Sequence, residues 1–89
     1  MLSKELTIPN KLGLHARAAA KLVALASTFE SEILVEKDSR EVNGKSIMGV
    51  MMLAASQHSK VKITASGTDE EEAMASIENL VNNFFDEDG

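Results

Sequence analysis

The spacing of apolar residues switches repeatedly between two repeats along this chain of 89 residues, and that switching limits the possible folds more than any other feature. Alternation of apolar and polar side chains is typical of a strand with one buried face, because successive side chains point to opposite sides. Three segments alternate in this way: residues 2–8, 31–37 and 60–65. A fourth strand is predicted at residues 40–42, between the turn sequences Asp38-Ser39 and Asn43-Gly44.

Apolar residues three and four positions apart indicate the helices. The strongest signal of this kind lies near the C-terminus and consists of Ala73, Ile77, Leu80, Val81 and Phe84. Thr68 precedes it, with Glu71 three residues later, which predicts a capping box. Residues 16–28 are rich in alanine and leucine and predict another helix. Residues 46–55 predict a short helix with Ser46 as its N-cap.

The order of these elements is βαββαβα, which predicts an α+β fold with two layers, a sheet covered on one face by helices. A chain of this length supports one hydrophobic core, so residues 1–89 are expected to form a single domain. The sequence has no cysteine, which excludes disulfides, thiolate metal ligands and a cysteine nucleophile. It is also short for an enzyme that needs a deep, walled pocket.

The net charge of −5 is unevenly distributed. Residues 1–29 contain four basic residues and one acidic residue, and residues 30–68 contain five of each. Residues 69–89 contain eight acidic residues and no basic residue. We interpret residues 86–89 as a frayed polar tail, with the acidic segment largely remote from any basic site. Nucleic acid is not an expected partner, because the chain lacks a dense basic stripe and stacking aromatics.

No signal peptide is recognisable at the N-terminus, where polar and apolar residues alternate. Nowhere does the chain contain an apolar run of about 18 residues, the length a membrane-spanning helix requires. We therefore predict a cytoplasmic protein that does not insert into membranes.

One histidine stands where a loop turns into the first predicted helix, in the sequence Gly13-Leu14-His15-Ala16-Arg17. Gly13 permits a backbone conformation that a side chain would disfavour. The free N–H groups at the start of a helix form an anion site, so an imidazole at the N-cap could receive a phosphoryl group there, with the Arg17 guanidinium as charge partner. Taken alone, a histidine at the start of a helix is more often a cap or a surface residue than a phosphoryl acceptor. The second histidine, His58, is predicted to be exposed in a loop.

Two motifs resemble those of a known family. Residues 13–19, Gly-Leu-His-Ala-Arg-Ala-Ala, resemble the active-site signature of the HPr phosphocarriers, and residues 43–51 resemble the second signature of that family. The resemblance covers essentially the whole chain. Residues 10–13 and 85–88 are most similar to the nitrogen-related branch, NPr. Ala18 departs from the family pattern, which usually has proline there and so restrains the start of the helix.

The resemblance implies that His15 accepts a phosphoryl group, on Nδ1, from a phosphohistidine of enzyme I, which is itself loaded from phosphoenolpyruvate. The group then passes to a histidine of an EIIA-type protein. The protein would be a carrier and not a stand-alone enzyme, without a nucleotide, metal or other cofactor. The resemblance also implies a four-stranded antiparallel sheet in the order 1-4-2-3. Two alternatives are an HPr of the sugar-transport system and a non-catalytic regulatory module.

The residues that would serve a carrier fall into three sets. The backbone that cradles the phosphate is predicted at Ala16, Arg17 and Ala18. A partner interface is predicted at Leu14, Ala20, Ile47, Met48 and Met51, since a short helix cannot bury all its methionines. Ser46 would also be a regulatory phosphorylation site if an HPr kinase/phosphorylase acts on it. A shuttle that exposes one site to two partners in turn is expected to be a monomer.

Overall fold

The computed structural model describes residues 1–87. Its helices and strands, in chain order, are β1 (Leu2–Thr7), α1 (Ala16–Ala26), β2 (Glu32–Lys37), β3 (Arg40–Asn43), α2 (Ile47–Met52), β4 (Lys60–Ser66) and α3 (Glu70–Asn82), followed by a 3-10 turn (Phe84–Asp86). The four strands form one antiparallel sheet in the order β1-β4-β2-β3. The predicted α+β fold and its strand order are confirmed.

The side chains of each strand divide as the alternation predicts. Ile33 and Val35 on β2 are fully buried, whereas Glu32, the first residue of that strand, is exposed. The buried face of β4 consists of Val61, Ile63 and Ala65. The helices cover this face with Ala18, Ala19, Leu22 and Ala26 of α1, Val50 of α2, and Ala73, Met74, Ile77 and Val81 of α3. Burial of apolar side chains therefore holds the two layers together, with about 1.5–3 kcal/mol from each buried valine, leucine, isoleucine or methionine and less from each alanine.

The start of α3 is stabilised differently from the predicted capping box. Asp69 is its N-cap residue, but its carboxylate accepts hydrogen bonds from the N–H groups of Glu30 and Ser31, both at 2.9 Å, and from the Ser31 hydroxyl. The Ser31 hydroxyl and the Glu30 N–H are the main causes that hold the pKa of Asp69 below its ordinary value, against partial desolvation. Thr68 instead reaches the Glu30 carboxylate at 3.3 Å. The capping-box prediction is wrong, because these side chains bind the loop before β2.

Two other helix ends differ from prediction. The helix α1 ends at Ala26, two residues before the predicted limit, and α2 ends at Met52 instead of residue 55. Ala54 has a left-handed backbone, with φ of +50°, which stops the helical hydrogen-bond pattern. Ser46 is the N-cap of α2 as predicted, since its Oγ accepts the Gly49 N–H at 3.2 Å.

The chain reverses after α3 and does not continue as a helix. Phe84, Phe85 and Asp86 all have positive φ, between +52° and +62°. This turn buries Phe85 completely and leaves Phe84 37% exposed, so the prediction of Phe84 on the buried helical face is wrong. The prediction of a frayed tail is wrong for Asp86 and Glu87, which follow the turn back towards α1, while residues 88–89 lie outside the described residues.

Candidate functional site

The loop before α1 is fixed by a glycine with a left-handed backbone. Gly13 has φ of +66°, and a Cβ atom there would lie 2.3 Å from the carbonyl oxygen of Ala55. Leu14 then donates its N–H to the same oxygen at 2.8 Å. This close approach makes His15 the N-cap residue of α1, with an extended backbone. The prediction that Gly13 supplies a special conformation is confirmed.

Leu14 does not belong to a partner interface. Its side chain is 4% exposed and packs in the core, because the Ala55 contact turns the loop inward. The prediction of Leu14 as an interface residue is therefore wrong. Leu12, which is not among the predicted interface residues, is 67% exposed beside His15. An alternation of apolar residues in a loop gives no reliable indication of which one faces inward.

The imidazole of His15 makes its contact with a residue 72 positions later in the chain. Its Nε2 forms a short hydrogen bond with Oε2 of Glu87 and does not cap the helix. The other carboxylate oxygen of Glu87 accepts a hydrogen bond from Nδ2 of Asn10 at 2.8 Å. Asn10 is fully buried and also donates to the carbonyl oxygen of Gly13 at 2.8 Å. The His15 side chain is 28% exposed and that of Glu87 is 11% exposed.

The surface around His15 is a shallow depression of mixed charge. It is lined by Lys11, Leu12, His15, Ala16, Arg17, Lys21, Asp86 and Glu87. Three positive side chains thus surround the ring, but two carboxylates share the depression. The prediction that the acidic C-terminal segment lies remote from the basic site is wrong, because the turn after α3 returns Glu87 to His15.

The Glu87 carboxyl is shifted towards its ionised form. Partial burial opposes ionisation, but hydrogen bonds from Asn10 and His15 and the nearby charges of His15 and Arg17 outweigh it and hold the pKa of Glu87 below its ordinary value. Because this pKa is lower in the folded protein than in the unfolded chain, the ionised contact stabilises the fold above the ordinary carboxyl pKa. That contribution is lost as the pH falls through the lowered value.

The start of α1 offers backbone donors next to the ring. The first helical hydrogen bond runs from the N–H of Ala19 to the carbonyl oxygen of His15 at 2.8 Å. The N–H groups of the three residues before Ala19 therefore have no acceptor within the helix. These are Ala16, Arg17 and Ala18, the residues predicted as the phosphate cradle. Ala18 has a fully buried side chain, so it can contribute only its backbone.

An exposed apolar surface lies on α2, which packs against α1. The exposed fractions are 40% for Ile47, 67% for Met48, 39% for Met51 and 62% for Met52. Ala20 on α1 is also exposed. The core contacts of this helix are made by Val50 and Leu53 instead. Four of the five predicted interface residues are thus accessible, and Met52 and Leu12 extend the accessible set.

The remaining side chains indicate little other chemistry. His58 is exposed in the loop before β4, as predicted. Residues 1–87 contain no group of three or more histidine, aspartate or glutamate side chains that could hold a metal ion. In the same part of the chain, no helix has both the length and the apolar character needed to cross a membrane.

Comparison with known proteins places the chain in one family. Residues 2–83 match the family model PTS-HPr, described as the PTS HPr component phosphorylation site. The chain is 53% identical over 88 residues to phosphocarrier protein HPr of Xylella fastidiosa, covering 99% of both chains, and 49% identical over 87 residues to that of Neisseria meningitidis, covering 98% of both.

Solved structures agree with this match. The crystal structure of HPr-C-His from Thermoanaerobacter tengcongensis has a TM-score of 0.96 and 49% identity, with full coverage of both chains. That of a phosphocarrier protein HPr from Bacillus anthracis has a TM-score of 0.87 and 42% identity, covering 90% of this chain and 95% of that one. The chain therefore belongs to the HPr family of phosphocarrier proteins of the phosphotransferase system.

Proposed function

We propose that this chain forms one phosphocarrier domain that accepts a phosphoryl group on His15 and passes it to a partner protein. The observation that carries the proposal is the position of the partly exposed His15 ring at the start of α1, beside three backbone N–H groups without helical acceptors and beside Arg17. A phosphoryl group on this ring would meet donors and positive charge already in place. The open depression suits a carrier whose partners supply the rest of each active site.

The transfer exchanges one nitrogen–phosphorus bond for another. Nδ1 of neutral His15 attacks phosphorus, a new N–P bond forms, and the bond to the phosphohistidine of enzyme I breaks, returning its electron pair to that histidine. The attacking ring must be neutral, because protonation removes its lone pair. Arg17 and the N–H groups at the start of α1 hold the phosphoryl oxygens. No cofactor is required, and the location we propose is the cytoplasm.

The direct test is incubation with enzyme I and phosphoenolpyruvate. Intact-mass measurement is expected to show the gain of one phosphate, which acid releases and alkali does not. Omission of enzyme I should prevent the gain. A protein that gains no phosphate under these conditions would instead be a non-catalytic binding module.

The acceptor that we propose is an EIIA-type protein of the nitrogen-related branch. Support comes from the resemblance of residues 10–13 and 85–88 to that branch. The alternative acceptor is a sugar-system EIIA, since the names of the curated relatives do not separate the two branches. Transfer from the phosphorylated protein to both EIIA types, measured side by side, distinguishes them. Faster transfer to the sugar type would reject the nitrogen branch.

The partner interface that we propose is the apolar surface formed by Ala20, Ile47, Met48 and Met51. The substitution Met48→Asp places a charge in its most exposed position, which is 67% accessible. We expect kcat/KM for phosphoryl transfer from enzyme I to fall roughly tenfold, because central interface residues typically contribute more than about 1 kcal/mol. Quenched-flow assays of phosphoryl transfer from enzyme I, at several concentrations of this protein, would measure kcat/KM.

The matched control for Met48→Asp is Ser66→Asp. Ser66 is an exposed residue at the end of β4, about 20 Å along the strand from Lys60. The Lys60 end of β4 is the one next to the loop that leads to His15, so Ser66 lies at the end far from the site. It adds the same charge away from α2 and should leave transfer unchanged. Equal rates for both variants would argue against the α2 interface.

Ser46 is a second proposed phosphorylation site, for an HPr kinase/phosphorylase. Its hydroxyl lies at the start of α2, directly before the exposed Ile47 and Met48. A doubly charged phosphate there would repel acidic partner surfaces and weaken docking. We also propose that the carrier acts as a monomer, since His15 must reach two partners in turn.

A further inference from the structure

We propose that Glu87 is a positioning residue for His15. The Glu87 carboxylate keeps the ring proton of His15 on Nε2 and so leaves the lone pair on Nδ1 for phosphoryl transfer. The inference rests on the proposed function, which makes His15 the acceptor. It adds to that function a residue from the far end of the chain, for which the local sequence around His15 gives no indication.

The contact between the two side chains defines their roles. Nε2 of His15 forms its hydrogen bond with Oε2 of Glu87. A neutral imidazole carries a proton on one nitrogen and a lone pair on the other, and an ionised carboxylate can only accept. The pKa of Glu87 lies below its ordinary value, so the carboxylate is ionised at neutral pH. The proton therefore stays on Nε2, and Nδ1 is the free nucleophile.

The carboxylate itself is held by a buried group. Oε1 of Glu87 accepts from Nδ2 of Asn10, a fully buried side chain that also donates to the Gly13 carbonyl. Asn10 therefore ties Glu87 to the loop that places His15 at the start of α1. With 11% of its side chain exposed, Glu87 is also less screened by solvent than an ordinary surface acid.

The backbone before Glu87 is anchored as well. Phe85 is completely buried in the core, and its carbonyl oxygen accepts a hydrogen bond from Nζ of Lys21 on α1 at 3.0 Å. Residues 84–86 have left-handed backbones, a conformation that costs of order 1–3 kcal/mol for each residue without glycine's freedom. The turn is maintained against this cost by its contacts with the core and with α1, and it delivers Glu87 to the ring.

The arrangement also suits the charge that appears during transfer. When Nδ1 forms its bond to phosphorus with the proton still on Nε2, the ring becomes cationic; when the phosphoryl group leaves, the electron pair returns to Nδ1 and the ring is neutral again. Lys11 from the loop and Arg17 and Lys21 from α1 face the same depression and disfavour a cationic ring, while Asp86 lies there as a second acid. The Glu87 carboxylate, in direct contact with the ring, opposes their effect and favours the cationic form.

The test is Glu87→Gln, with Asp86→Asn as the matched control. Glutamine keeps the shape of the side chain but can donate to the ring as well as accept, so both tautomers become possible. In ¹⁵N NMR spectra at a pH about two units above the ordinary histidine pKa of about 6.5, the unmodified chain should show only the tautomer protonated on Nε2. Glu87→Gln should add a fraction protonated on Nδ1. Its kcat for phosphoryl acceptance should fall about 10–100-fold with KM unchanged, since the docking surface is intact.

Asp86→Asn removes one charge from the same depression without touching the ring. Asn also tolerates the left-handed backbone of that position, where φ is +62°. This variant should leave the tautomer unchanged and lower kcat far less than Glu87→Gln does, because it removes a nearby charge but not the contact with the ring. The proposal is overturned if Glu87→Gln leaves the tautomer and kcat as they were, or if Asp86→Asn has an equal effect. If the unmodified chain accepts no phosphate at all, the proposed function fails, and the NMR comparison alone still decides whether Glu87 sets the tautomer.

Discussion

The substitution His15→Asn is expected to abolish phosphoryl acceptance from enzyme I completely. The amide nitrogen of asparagine has no available lone pair, so it cannot form the N–P bond. Asparagine is among the most favourable N-cap residues, and the His15 side chain makes no capping hydrogen bond that would be lost. The start of α1 should therefore remain intact. Intact-mass measurement after incubation with enzyme I and phosphoenolpyruvate should show no phosphorylated species, and the circular dichroism spectrum should match that of the unmodified chain.

The other histidine provides a control with the same substitution. His58 is exposed and has a left-handed backbone, with φ of +73°, which asparagine tolerates well. His58→Asn should be phosphorylated at the rate of the unmodified chain. Phosphate gain by His15→Asn would place the acceptor elsewhere and would contradict the proposed function. Loss of the phosphate gain in both variants would show that the effect of His15→Asn is not specific to that residue.

Much of the fold could be predicted because the relevant signals are local. The alternation in residues 31–37 correctly assigns Ile33 and Val35 to the core, since a strand fixes which side chains share a face. Ser46 was identifiable as an N-cap for the same reason, because its hydroxyl needs only the N–H of Gly49, three residues on. The strand order could not be predicted from local signals, because periodicity does not specify which strands pair. It followed from the family resemblance.

The features that could not be predicted depend on contacts between distant parts of the chain. Asp69 binds Ser31 across 38 residues and so replaces a capping box that the local sequence supports. Glu87 reaches His15 across 72 residues, and the position of that carboxylate depends on the turn after α3. A cluster of acids at a chain end looks the same in sequence whether it is solvated or folded back. The candidate site was therefore predicted on its α1 side only.

The mixed charge of the site follows from that fold-back. In the sequence, residues 1–29 carry an excess of positive charge, and every charged residue of 69–89 is acidic. This distribution suggests a basic region and a separate acidic region. In the structure Lys21 and Glu87 belong to one depression. A phosphoryl group would thus meet Arg17 and the N–H groups of α1 on one side of the ring while a carboxylate holds the other side. A ring held in this way needs no enclosing pocket, because its orientation is set by the carrier itself.

The substitution Phe85→Ala is expected to destabilise the protein by about 3–5 kcal/mol, the usual cost of removing a fully buried aromatic ring. That is a large part of the roughly 5–15 kcal/mol that holds a domain of this kind folded. Urea unfolding followed by circular dichroism would measure the change as a lower midpoint at an unchanged slope. Loss of the ring also frees the backbone that delivers Glu87. The pKa of Glu87 in the folded variant should therefore rise towards its ordinary value. A pH titration followed by ¹³C NMR without urea would measure it.

The neighbouring Phe84→Ala is the control, because it distinguishes the folded-back turn from a continued helix. Phe84 is 37% exposed, so its truncation should cost less than about 1 kcal/mol and leave the pKa of Glu87 low. A helix that simply continued past Asn82 would put Phe84 in the core, by the spacing of Ile77 and Val81, and would reverse the two results. A larger loss of stability for Phe84→Ala than for Phe85→Ala would thus contradict the turn, and with it the contact between Glu87 and His15 that the turn makes possible.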